Sequence, residues 1–87
     1  MDKIDRLEKL AGRYKQVIVY YTVDCKNTAS GKTAIRHATK LNFYNCNLTH
    51  NDEFLWVNMD THSEKYELSK VVALKLDEKL IRFKCLT

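Results

Sequence analysis

The side chains able to do chemistry in this chain are three cysteines, three histidines and a scatter of carboxylates. Cys46 and His50 stand four residues apart, the spacing of half a metal site, with Cys25 or His62 available to complete it. Zinc sites usually pair ligands at both ends, and no second pair is present, so no metal is expected. Nucleophilic catalysis needs a serine or cysteine beside a positioned base, and no local arrangement provides one. Asp52-Glu53 and Asp77-Glu78 are adjacent carboxylates. Neighbours on a strand point to opposite faces, so neither pair makes an acid/base couple. Ser30-Gly31-Lys32-Thr33 looks like the end of a phosphate-binding loop, but Lys26 stands where its earlier glycine should be. A strand, not a helix, is expected to follow it, so it reads as a polar hairpin loop. These residues point away from an enzyme, and no cofactor is expected.

Charge is the more informative feature. Residues 13–49 carry six basic side chains against the single acid Asp24. Residues 50–67 carry five acids against Lys65, and residues 68–87 five basic side chains against Asp77 and Glu78. Such segregation presents one sign of charge to a polyanion or to a charged protein. Arg36, Lys40, Asn42 and Tyr44 share one face of an expected strand, with Lys32 at its loop and Arg13 and Lys15 just before the preceding strand. Basic side chains contact phosphate, and an exposed tyrosine (Tyr44 or Tyr20) can stack a base. Arg13, Lys15, Lys32, Arg36, Lys40 and Tyr44 are therefore the candidate nucleic-acid-binding residues.

The elements that position them follow from periodicity. With two glycines and no proline, residues 1–87 read as one domain. Residues 2–11 read as a helix capped by Asp2, with Ile4, Leu7 and Leu10 as its apolar stripe and Gly12 as its left-handed stop. Residues 16–24 and 33–45 read as two long antiparallel strands, the second bent, with Ile35, His37, Leu41 and Phe43 on its core face and His37 a core histidine. Residues 45–52, rich in Asn and Asp, read as a turn. Strands are expected at 53–60, 65–68, 71–76 and 80–85, a C-terminal helix being the alternative for the last. Phe54 and Trp56 share a face read as core beneath the helix. The fold class is thus α+β, mainly β: a helix followed by a five- or six-stranded antiparallel small barrel of Sm-like or SH3-like outline, about residues 16–85. Closing the sheet would remove its free edges.

Residues 54–76, FLWVNMDTHSEKYELSKVVALKL, resemble the core of WYL domains, Sm-like modules of bacterial regulators. Leu55-Trp56-Val57 stand where that family has its three-residue signature, and VIVYYTVD looks like its first strand. The resemblance covers about residues 16–76 and implies the fold and a ligand-sensing or nucleic-acid-binding module. It carries over no functional residue.

The longest apolar run is about five residues, far short of the ~20 a membrane helix needs. The opening MDKIDRLEKL lacks the apolar core of a leader. The chain is expected in the cytoplasm, without a membrane partner, its cysteines reduced thiols. Two readings remain. One is a non-catalytic regulatory module that contacts nucleic acid through its basic strand face. The other is a phage or mobile-element inhibitor, anti-CRISPR-like, that binds a host nucleic-acid-processing protein. An open strand edge leaves homo-oligomerisation available to either.

Overall fold

The computed structural model of the chain describes residues 9–22 and 35–83. Six strands follow one another: β1 Gly12–Tyr21, β2 Thr39–His50, β3 Phe54–Asn58, β4 Ser63–Glu67, β5 Val71–Leu76 and β6 Lys79–Arg82, with a 3-10 turn at Leu68–Lys70 between β4 and β5. They form a single antiparallel sheet in the order β4-β3-β2-β1-β5-β6. The first four strands make a meander; β5 then returns to pair with β1 rather than with β4. The chain is mainly β, as its alternating apolar pattern indicates.

Closure is where the expectation fails. The ladders join six strands in a line, and none joins β4 to β6, so the sheet is open rather than a closed barrel. The last strand extends the sheet beyond β5 instead of sealing it. The sheet is nevertheless strongly curled. β4 is three strands from β1, ~14 Å in a flat sheet, yet the Tyr21 and Tyr66 rings meet edge to face at 5.3 Å. The inner face holds Val17 and Val19 of β1, Cys46 and Leu48 of β2, Leu55 and Val57 of β3, Leu74 and Leu76 of β5, and Ile81 of β6 in one cluster. β5 is buried along most of its length, which explains its apolar run Val71–Leu74, with Lys75 the one charged residue in it.

Several boundaries shift. The helix expected over residues 2–11 lies mostly outside the described residues; Lys9-Leu10 form a turn leading into β1. Gly12 has φ of 152° and opens β1, so its positive φ serves a strand start. The second strand begins at Thr39, not residue 33, because the Ala38 N–H bonds back to the Ile35 carbonyl at 3.2 Å and closes a turn. His37 is accordingly exposed in that turn, not a core histidine. Residues 45–50 are strand rather than turn. Cys46 and Leu48 point inward while the polar Asn47 and Thr49 point out, pairing with Asn58 and Trp56. The turn is shorter: the Asn51 Oδ1 accepts the Glu53 and Phe54 N–H groups, both at 2.8 Å. Residues 79–82 are strand rather than helix.

β1 and β2 change parity together. Val17 and Val19 face inward with Leu41 and Phe43, but beyond that point the inward residues are Tyr14 and Cys46. Two successive residues therefore point outward on each strand, Lys15-Gln16 and Tyr44-Asn45, and Asn45 adopts φ of 52°. Asparagine tolerates this left-handed backbone better than most residues. On β1 the kink leaves two successive N–H groups on one side, as at a β-bulge. Asp77 satisfies both. Its Oδ1 accepts the Lys15 N–H at 3.0 Å and the Gln16 N–H at 3.1 Å, and its own N–H donates to the Gln16 carbonyl at 2.8 Å. Asp77 itself sits at φ of 55° in the β5–β6 turn. Asp77→Ala should destabilise the protein by about 1–2 kcal/mol, since two backbone donors lose their acceptor. Asp77→Asn, which keeps an acceptor and the turn conformation, should cost about half as much. Urea unfolding of the two variants checks this.

Burial also sets the alkaline limit of stability. It raises the Cys46 thiol above its ordinary value, opposed by Arg13 and reinforced by Asp77. It raises the Tyr14 phenol, reinforced by Asp77, and the Tyr66 phenol, reinforced by Glu64 and Tyr21. Each group holds its proton more tightly folded than unfolded. Its contribution is thus complete below the unfolded value and is lost as pH rises through the folded one. Stability should be flat toward neutral pH and decline above about pH 9–10, starting with Cys46. Urea midpoints measured from pH 7 to 11 check it, and Cys46→Ala should remove the earliest part of the decline.

Candidate functional site

The ladder registers define the outer face of β2, β1, β5 and β6. β2 contributes Lys40, Asn42 and Tyr44, which stand opposite Tyr20, Ile18 and Gln16 of β1. Beyond β1, Ile18 is opposite Lys75 and Tyr20 opposite Ala73 of β5. Those two are in turn opposite Leu80 and Arg82 of β6. Lys40, Lys75 and Arg82 thus share one face, and no carboxylate occupies any of these ten positions. The row Lys40–Tyr20–Ala73–Arg82 crosses the sheet in three steps of ~4.8 Å. On this face Ala73 and Ile18 are buried, while Tyr44 is 62% exposed and Leu80 41%. The Lys40 Nζ lies 5.8 Å from the Tyr20 ring centroid, within cation–π range.

Of the seven acids among the described residues, Asp77 and Glu78 stand in the β5–β6 turn at the end of this half and the other five lie elsewhere. Asp52, Glu53 and Glu67 line an open groove of about 310 Å³ with Phe54, Leu68 and Ser69. Lys70 pairs with Glu67 at 3.0 Å, which raises the lysine above its ordinary value. His62 lies 3.3 Å from Glu64 and accepts or donates a bond to the Thr61 hydroxyl at 2.9 Å. The molecule is therefore polarised, basic across β2–β1–β5–β6 and acidic around β3, β4 and their loops.

Of the candidate residues, Lys40 and Tyr44 lie together on this face. Lys15 is exposed at the kink beside them, and Arg36 is exposed in the turn before β2 rather than on the strand. Lys32 lies outside the described residues. Arg13 is drawn to the other half of the sheet, 3.9 Å from Asp60 in an exposed pair of the kind worth little energetically. Lys75 and Arg82 were not singled out from the sequence, although each stands at an outward position of an alternating run. Their neighbourhood depends on β5 returning to β1, which local pattern does not encode.

Phe54 and Trp56 are half-buried on the outer face of β3, not in the core beneath a helix. Their rings tilt against each other at 5.9 Å, and the Lys65 Nζ sits 4.5 Å from the Phe54 centroid. Beside them Asn58 donates to the Thr49 hydroxyl at 2.9 Å and accepts from the Ser63 hydroxyl at 2.6 Å. Cys46 lies in the core, four residues from His50, whose Nδ1 is 3.4 Å from the Asn51 carbonyl. Cys25 lies outside the described residues. Among the described residues no helix is long and apolar enough to cross a membrane. No family model, no curated protein and no solved structure matches the chain.

Proposed function

We propose that the chain is a small non-catalytic module that contacts nucleic acid through the outer face of β2–β1–β5–β6. One observation carries the reading: Lys40, Lys75 and Arg82 stand on a face whose strand positions hold no carboxylate. Phosphate contacts dominate such affinity and release counterions, so binding must fall as salt rises. The WYL-like stretch at residues 54–76 adds a regulatory sense to this reading. The test is anisotropy of labelled oligonucleotides titrated with the protein at low and moderate salt. Binding that weakens with salt and is lost in Lys40→Glu/Lys75→Glu supports the reading; absence of binding at low salt overturns it.

A second reading rests on a different observation. Phe54 and Trp56 form an aromatic pair on the outer face, and aromatic side chains are enriched at protein interfaces. An inhibitor of a nucleic-acid-processing protein would use that pair as its anchor. It would form a stoichiometric complex that Trp56→Ala disrupts and that tolerates the lysine reversals.

A further inference from the structure

We infer that the outer face takes single-stranded rather than duplex nucleic acid, with Tyr44 stacking on a base. The inference rests on the proposed function and names its substrate class. Reading a duplex in the major groove requires an element that enters it, an α-helix or a two-stranded ribbon. Here Lys40 and Lys75 lie on interior strands of a curled sheet and Arg82 on its edge strand β6, and among the described residues no helix stands on that face. The face offers instead what an unpaired strand uses. Lys40, Asn42 and Tyr44 project from one side of β2 at intervals of ~7 Å. They supply in turn a cation for phosphate, an amide able to donate and accept at a base edge, and an aromatic ring.

Tyr44 is suited to the stacking role and Tyr20 less so. Tyr44 is 62% exposed, the most exposed of the large apolar side chains among the described residues, and none of those residues sets a ring or cation against it. Tyr20 is half-buried and Lys40 already lies over its ring. In a duplex both faces of each base are stacked within the helix, so a ring on a sheet surface meets only backbone. In a single strand the base faces are free, and stacking on an aromatic ring is tolerant of sequence.

The experiment compares an oligothymidylate of about twelve nucleotides with a duplex of equal length, by anisotropy at low salt, using the full chain. The single strand should bind at least about tenfold more tightly than the duplex. Tyr44→Ala should lose about tenfold on the single strand, and Tyr44→Phe, which keeps the ring, about twofold or less. Because Tyr44 is exposed, both variants should fold, which circular dichroism verifies. Equal or tighter duplex binding, or single-strand binding indifferent to Tyr44→Ala but lost in Lys40→Glu/Lys75→Glu, overturns this inference and leaves the proposed function standing. Absence of binding to either oligonucleotide overturns both.

Discussion

Leu74→Ala should lower the unfolding free energy by about 3 kcal/mol, the largest single-residue effect expected in this fold. Leu74 is fully buried at the centre of β5, opposite Val19 on one side and Ile81 on the other. Truncation removes the transfer free energy of the side chain and leaves a cavity that two ladders prevent from collapsing. A chain of this size has about 4–13 kcal/mol of stability in all, so the loss is a large fraction of it. The melting temperature should fall by about 12–24 °C. Thermal unfolding followed by circular dichroism measures it, with Tyr44→Ala as the exposed reference, expected within about 0.5 kcal/mol of the parent. A loss under about 1 kcal/mol would mean that the β1–β5–β6 layer is not the core.

The largest functional effect should come from Lys40→Glu/Lys75→Glu. These two side chains are separated across the sheet only by Ile18, Tyr20 and Asn42, and the double change replaces two attractive contacts by two repulsive ones. Oligonucleotide affinity at low salt should fall about a hundredfold, and the slope of log affinity against log salt should flatten by about 1.4 on a single strand. Lys65→Glu at the opposite end of the sheet is the control. It loses one cation over the Phe54 ring, and affinity should stay within about twofold. A similar loss in the control and the double variant would mean that net charge, not this face, governs binding.

Much of the sheet was legible because its alternation is strong. Val71–Leu76 falls where its apolar run places it, and the inward Leu55 and Val57 follow the period of two. The segment at 45–50 was hidden by composition: its two asparagines suit a turn, yet Asn47 serves as an outward strand residue paired with Asn58. The residues of the basic face divide by how far apart in sequence their neighbourhood is made. Lys40 and Tyr44 share that face because they are four apart on one strand, a purely local fact. Lys75 and Arg82 join them only through the return of β5 to β1, a pairing across more than fifty residues that no spacing rule reaches. Closure failed for a related reason. Strand count and strand length were readable, but whether the two outermost strands meet is a property of the whole curl.

The shared kink of β1 and β2 also governs which substitutions the chain can absorb. On one side of Lys15 and Asn45 odd-numbered positions are interior, on the other side even-numbered ones. A one-residue deletion in one strand at the kink would restore a plain alternation there and leave its one outward residue opposite two on the partner, putting the pair out of step. Compensated changes, one in each strand, would keep the pair in step. A saturation scan should therefore show tolerance to charge at 13, 15 and 16 on β1 and at 40, 42, 44 and 47 on β2, with the parity reversing at the same point in both. Related chains should gain or lose residues there only in matched pairs.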